Sequence, residues 1–487
     1  MAVLGVQLAI SMIMASIISK FGPRLSLARY LLCSTGLIRY LHPTDEELRE
    51  LAGVPKDVMG KGKGKGKNQD YKNPNTFHVP KDLDIKLDSV HVGPAEVIHL
   101  RYYTEYQSVL DYTVYATIVY FATEVYYCFL SPKEEMNLSI YWCILTLLWC
   151  IKVLLSVTKV YFRGDEVMGE RALCMCMGGV YLLTSMMFLI VDENTLEVGL
   201  DSAYDSFHLH ASEFLKAQGL PSTGPASKLI LKFVLAVFSA LLGILFTFPG
   251  LRMSKMFYDS RRYCEGRTLV KAMLNLAYVF PLILTILWIR PVGRDILAKP
   301  FGGSDKALMS EAAFESLRLM LVVCMVVLRI AVMPFFLQSF LNVAQEKLID
   351  QRKEAGRILN TDLQKKVAGI FYYLCIVAVQ YVAPCLICLH SCFMYKTLGE
   401  GSWLGDLMAG NATVSDGTTP AFKPVLPDTD EVLPAAQHFA IALASLKVVF
   451  NATVFRGIFG YMTWWSTFLL IASSGVGSLY LSYGTRA

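Results

Sequence analysis

Charge is what this chain has little of. Asp, Glu, Lys and Arg make up 17% of its 487 residues, against about 25% in ordinary soluble proteins. That scarcity excludes a string of soluble domains. The net charge of +5 is small, and no nucleic-acid partner is expected from it. Catalytic signatures are missing as well: there is no HExxH, no GxSxG and no phosphate loop. The run GKGKGKGK, Gly60 to Lys67, lacks both the spacing and the strand–helix context of a nucleotide site. The chain is therefore expected to be no enzyme and to need no cofactor and no metal. Its twelve cysteines form no disulfide framework, because nearly all sit in apolar runs. Cys385, Cys388 and Cys392 share one helical face, which reads as close helix packing rather than a soft-metal site. His208 and His210 read as an incidental pair in an acidic segment.

What the chain has instead is apolar sequence. Hydrophobic residues make up 54% of it, in recurring blocks near the roughly 20 residues that cross a bilayer. Clear spans are predicted at Ala2–Ser19, Leu110–Leu130, Leu138–Thr158, Ala172–Val191, Leu229–Phe248, Ala272–Ile289, Leu317–Leu337 and Val367–Met394. Phe439–Phe455, which carries Lys447 and Asn451, and Gly457–Tyr483 are two more candidates. The expected fold is an all-α, polytopic transmembrane helical bundle of about 8–10 spans, with the lipid bilayer as its first partner. Three regions follow: 1–19, a first span or signal-like segment; 20–109, a mostly cytosolic loop; and 110–487, a multi-span membrane domain.

Basic residues orient the bundle. RLSLAR, KVYFR, RMSKMFYDSRRYCEGR and EKLIDQRKEAGR fall in loops 20–109, 159–171, 249–271 and 338–366, which places those loops in the cytosol and the N-terminus outside. The loop after Ile289 departs from the rule through Arg290, Arg294, Lys299 and Lys306. The exterior segment 192–228 is acidic, and Asn411 in the exterior 395–436 loop is a glycosylation sequon with reach from the membrane. Asn137 is too close to the bilayer for modification. If Phe439–Phe455 spans, Asn451 lies toward the cytosol and stays bare.

In the first cytosolic loop, Ser26–Leu41 mixes apolar residues with Arg29 and Arg39 and reads as a segment lying in the membrane surface. Thr44 with Glu47 forms a capping box. The Gly-Lys run reads as a flexible cationic linker. LDIKLDSVHV and EVIHLRY alternate with period two around Gly93-Pro94, which predicts a β-hairpin.

The residues that stand out are ionisable groups inside spans: Glu124, Lys152, Arg318, Arg329 and His390, with Asp111 and Lys447 at less certain depth. A lone charge at bilayer depth costs roughly 2.5–3.5 kcal/mol on insertion scales, so such groups pair or line a pathway. Depth matches Glu124 with Arg318, and Asp111 with Lys152, while Arg329 has no acid at its own level. Tyr120 and Tyr127, at i−4 and i+3, are placed to support the Glu124 carboxylate. Arg318 and Arg329 are three helical turns apart, too sparse for a voltage-sensing ladder. Both a packed interior network and a conducting pathway remain open on this pattern. Ser239 with Gly243, and Ser473 with Gly477, have the small-xxx-small spacing of helix contacts. Pro384 is expected to kink its span, with Gln380 one turn earlier satisfying a freed backbone group.

SLARYLLC (26–33), HPTDEELRELAG (42–53), EYQ (105–107), TEVYY (123–127), FTFPGLR (246–252), EAGRI (354–358), FYYLC (371–375), QYVAP (380–384), KTLG (396–399) and TWW (463–465) together resemble the transmembrane protein 161 family. The resemblance runs from the first span to the last. It implies a multi-pass membrane protein without enzymatic chemistry, tied to restraint of potassium and calcium currents, calcium handling and resistance to oxidative stress. No ligand-binding residue set comes with it. The function it implies is modulation of ion homeostasis through contact with a channel or pump, in the endoplasmic reticulum or plasma membrane. The competing reading is an ion channel or secondary transporter that uses the intramembrane charges itself.

Overall fold

The computed structural model describes residues 5–22, 24, 26–44, 47, 50, 86–130, 137–163, 168–217, 227–264, 266–299, 309–353, 360–399, 403 and 449–484. Helices dominate them. In chain order the long ones are α1 (Gly5–Phe21), α2 (Tyr103–Leu130), α3 (Ser139–Arg163), α4 (Met168–Ile190), α5 (Leu200–Ala217), α6 (Lys228–Tyr263), α7 (Thr268–Leu287), α8 (Glu311–Lys353), α9 (Asn360–Tyr372), α10 (Leu374–Thr397) and α11 (Ala452–Gly484). Six stretches are long and apolar enough to cross a membrane: α3, α4, α6, α7, α8, and α9 with α10 taken as one. Helices α2 and α11 are as long but more polar; α2 packs against α3 and α10, and α11 against α6, α7 and α10. The architecture is the expected all-α, polytopic helical bundle. The Gly60–Lys67 run, Asn411 and residues 439–448 of the candidate Phe439–Phe455 span, Lys447 among them, lie outside the described residues.

Helix α10 is the axis. In its most apolar window 83% of residues are buried inside the protein, against 28–44% for the other five spans. Every residue from Leu374 to Tyr395 is buried. A helix that is apolar all round has no face to give to solvent and belongs in the middle. Its small side chains, Ala378, Ala383, Cys385, Cys388, Ser391 and Cys392, let α2, α3, α6, α8 and α11 close in around it. The outward faces are apolar too: Leu183 and Ile190 on α4 are 70% and 79% exposed. In water that would be an aggregation hazard; in hydrocarbon it is the lipid-facing surface.

Helices α6 and α11 meet along a seam of small residues. A Cβ on Gly250 would sit 2.3 Å from Ser473 Oγ, and one on Gly477 would sit 2.6 Å from Ser254 Oγ. Ser254 Oγ donates to the Ser474 carbonyl across the seam at 2.5 Å. The Ser473/Gly477 spacing thus marks a real helix contact. Gly243 instead accommodates the Tyr181 ring of α4, while Ser239 meets Tyr461 Oη of α11 at 3.0 Å.

The inner end differs from expectation. No hairpin forms around Gly93-Pro94. Strand β2 (Asp88–His91) pairs antiparallel with β1 (Ile38–Leu41), Ile38 opposite His91 and Leu41 opposite Asp88. Pro94–Val97 is a single helical turn, since Pro at its first position is preset for a helix and cannot donate to a ladder. In segment 26–41, Ala28, Leu31 and Leu32 are buried in the main core and pack toward α2. Gln338 of α8 clamps β1 through both of its amide atoms, accepting from Ile38 N at 2.8 Å and donating to Ile38 O at 3.1 Å. At 43 residues, α8 is about 65 Å long, roughly twice the hydrocarbon thickness, so its inner turns are free to hold this ribbon. Thr44 and Glu47 make the reciprocal bonds of a capping box.

Asn451 is also placed differently. It caps the start of α11, accepting from Val454 N at 3.1 Å, and donates to Ser206 of α5 at 2.8 Å. It therefore sits beside α5.

Adding one methyl at the α6/α11 seam should separate the helices. Gly250→Ala is expected to destabilise by about 1–3 kcal/mol, while Gly179→Ala, whose Cβ would meet nothing within 4 Å, should be near neutral. Thermal unfolding in detergent checks both, and equal melting temperatures would contradict the seam.

Candidate functional site

The intramembrane ionisable groups sort into an outer layer, an inner staple and one isolated cation. The outer layer begins with Glu124. Its partner is Lys396, in the last turn of α10, and the two side chains are only 14% and 12% exposed. Aromatic rings shield the pair: Tyr120 stacks on Phe393 with centroids 4.2 Å apart, and Trp403 lies 6.0 Å from the Lys396 ammonium. The depth argument that gave Glu124 to Arg318 is corrected. Lys396 lies two residues past the expected end of its span at Met394, a position the sequence reading treated as loop. Long Lys side chains reach back along apolar surface in this way.

Tyr120 does not hold the carboxylate through its hydroxyl, which makes no hydrogen bond among the described residues, its ring being committed to the stack. Tyr127 Oη accepts from Gln7 of α1 at 2.5 Å, and Gln7 in turn accepts from Leu138 N at 2.7 Å. These bonds tether the first helix to the α2–α3 connection.

Arg318 is fully buried near the outer end of α8. Its guanidinium carbon lies 4.0 Å over the Trp288 ring, Nη2 donates to Tyr395 Oη at 3.2 Å, and Glu197 Oε2 stands 3.8 Å away. Glu197 belongs to the segment after α4, which Leu196 joins to Ile289 in an isolated bridge. Glu197 also accepts from Arg294 at 2.5 Å, and Glu315 lies 3.1 Å from Arg294 and 3.8 Å from Arg456. With Glu311 3.4 Å from Arg294, three arginines and three glutamates thus form one network. The basic loop after Ile289, anomalous by the orientation rule, supplies Arg294. Below it Asp201 of α5 receives Lys228 and Lys232 at 2.7 and 3.3 Å. Partial burial would raise its carboxyl, but the two ammoniums outweigh that and hold it below the ordinary range.

Asp111 and Lys152 do not meet. Asp111 accepts from Ala28 N at 3.2 Å, and Ser26 accepts from Gln107 Nε2 at 3.4 Å, so the Leu27–Arg29 turn is stapled to α2. A carboxylate suits the unpaired N–H groups at a helix start. Lys152 lies 4.6 Å over the Trp149 ring.

Arg329 is the isolated cation. It is 3% exposed, and its partners are neutral: Nε donates to Ala277 O at 3.2 Å and Nη1 to Cys385 Sγ at 3.6 Å. It borders a cavity of about 10 Å³ together with Gln380, Tyr381, Pro249, Pro384, Ser473 and others. Pro384 does not break α10; the interruption falls at Tyr373, between α9 and α10. The Gln380 side chain takes a long 3.5 Å contact from Tyr161 Oη rather than a backbone group. His390 is buried, with Nδ1 3.0 Å from Leu386 O. His208 and His210 lie on α5 rather than a strand, so they do not share a face. Among the described residues no three His, Cys, Asp or Glu side chains are grouped to hold a metal.

The family model described as "Predicted transmembrane protein 161AB" matches residues 2–485. The chain belongs to the transmembrane protein 161 family. No solved structure matches it. The TEVYY and KTLG blocks turn out to be partners, since they supply Glu124 and Lys396.

Removing one member of the Glu124–Lys396 pair should cost more than removing both. Glu124→Leu and Lys396→Met are each expected to destabilise by about 2–4 kcal/mol, because each leaves a charge poorly solvated. The double substitution should recover part of that loss, and Glu124→Gln should be milder than Glu124→Leu. A double-mutant cycle on melting temperature and surface expression measures the coupling; strict additivity would contradict it.

Proposed function

We propose that this membrane protein is non-enzymatic and modulates potassium and calcium handling through contact with a channel or pump, in the endoplasmic reticulum or plasma membrane. The carrying observation is that its conspicuous intramembrane acid is spent on holding helices together. Glu124 is consumed by Lys396 under an aromatic cover, and Arg318 is locked between Trp288, Tyr395 and Glu197. Groups fixed this way favour a rigid helical body that acts on a neighbour over one that passes ions by itself. The apolar outer surface of helices such as α4 suits side-by-side contact within the bilayer. A second reading, a channel or transporter in its own right, is favoured by Arg329 and its cavity between Pro249 and Pro384.

Purified full-length chain in liposomes distinguishes the two. The modulator reading expects no protein-dependent potassium or calcium flux, together with recovery of a specific channel or pump on affinity purification from native membrane. Flux that disappears in Arg329→Gln or Glu124→Gln would replace it with the second reading.

The exterior assignment of the segment before α11 carries a further expectation. Asn411 should bear a glycan, whereas Asn451, whose amide is engaged with Ser206 and whose carbonyl caps a helix, should stay bare. Glycosidase treatment should shift the wild-type chain and Asn451→Gln alike on a gel, and leave Asn411→Gln unmoved.

A further inference from the structure

We propose that Arg329 holds a single small monovalent anion, of the chloride class, in the cavity between α6, α8, α10 and α11. This goes beyond the partner reading and does not depend on it. Four observations converge. Arg329 is 3% exposed in the middle of the bundle, and among the described residues no carboxylate pairs with it. Arginine stays protonated in proteins, so the cation cannot escape its burial by losing a proton. Its Nη2, and the Nε2 of Gln380, make no hydrogen bond among the described residues, although Nε, Nη1 and Gln380 Oε1 are all engaged. Both side chains border the cavity, and its volume of about 10 Å³ is room for one water-sized occupant.

The rest of the lining suits an anion that is gripped from one side. Ser473 and Ser474 now donate to the carbonyls of their own helix at 2.6 and 2.7 Å. Their hydroxyls can rotate to donate to an occupant instead. Tyr381 does not take part, because its hydroxyl is committed to the Arg329 carbonyl at 2.7 Å, which fixes the backbone that presents the guanidinium. Gly250 brings α11 close against this side of the cavity, since any Cβ there would strike Ser473. A neutral water would fill the same space but leave the charge uncompensated. In a low-dielectric interior an unpaired cation and an anion attract far more strongly than in water, and that difference selects the anion. Size limits it to one or a few atoms, which admits chloride or bromide and rejects sulfate.

The test uses the purified full-length chain in detergent, exchanged into gluconate and titrated with sodium chloride, sodium bromide or sodium sulfate at constant ionic strength. Chloride and bromide should raise the melting temperature saturably and sulfate should not. Arg329→Gln should abolish the halide response. Should that variant not fold, Gln380→Leu keeps the guanidinium and is expected to weaken the apparent halide affinity about tenfold, the loss of one hydrogen bond to a charged group. Binding of radiolabelled chloride gives the second readout, expected to saturate at one ion per chain. Equal melting in gluconate and chloride, no saturable chloride binding, or a halide response unchanged in the available variant would each mean that the cavity holds water only, and would overturn the proposal.

Discussion

A charged side chain inside a bilayer has no water to turn to, and this protein is arranged around that constraint. Its answer differs with depth. Near the outer end, where partial hydration still helps, charges are pooled: Arg294, Arg318 and Arg456 share Glu197 and Glu315, and Glu124 takes Lys396. Pooling matters more than any one distance, because each carboxylate has two oxygens and each guanidinium five donors. A network satisfies more of them than isolated pairs would. The aromatic groups belong to the same solution. Trp288 and Tyr395 give Arg318 faces to lie on, and a guanidinium over a ring retains attraction where hydration is lost. At mid-depth there is no such pool, and Arg329 is left among carbonyl, thiol and amide groups.

That arrangement also explains the central helix. Whatever occupies the middle must be narrow, apolar on every face and yet carry the polar atoms its neighbours need. Helix α10 does this with cysteines and serine in place of larger residues, and with Gln380, Tyr381, Tyr395 and Lys396 at separate levels along one rod. A second consequence falls on α8, which presents Arg318 to the outer network, Arg329 to the cavity and Gln338 to the β ribbon. One helix therefore joins the outer charge layer, the bundle centre and the β-ribbon end. Pro334, lying between Arg329 and Gln338, leaves the Ile330 carbonyl without its helix donor. This places the weakest point of the rod between the cavity and the clamp.

The spans were legible in the sequence because hydrocarbon makes a demand that composition alone can answer: the length of an apolar run is set by bilayer thickness. The small-residue seam at Ser473 and Gly477 was legible for a related reason, since close backbone approach needs the absence of side chains. Pairings were not. Glu124 was correctly singled out, but its partner lay beyond the apparent end of a span, where a flexible Lys reaches back and residue depth misleads by a full turn. Glu197 was hidden inside an acidic loop whose fold no periodicity announces. The hairpin failed through the same blindness: β2 alternates as a strand should, but its partner is 50 residues upstream, and a local pattern cannot name a distant edge.

These misses share a physical cause that bears on the residues still without a partner. Local pattern reports what a residue needs, and tertiary packing decides who supplies it. For Glu124, Asp111 and Arg318 the chain supplies it: an ammonium, a backbone N–H at a helix start, and a ring with a carboxylate. Arg329 was the one ionisable group in a clear span for which the sequence offered no acid at its level, and among the described residues the fold offers none either. Glu124 and Arg318 each meet an opposite charge and Asp111 meets a backbone N–H, whereas buried Arg329 meets only neutral groups among the described residues. The four helices around it leave a space although packing at its edge is tight enough for a single methyl on Gly250 to clash. A void kept open beside an uncompensated cation, at the point where two proline-containing helices face each other, is what a chain would hold if the missing charge came from outside it.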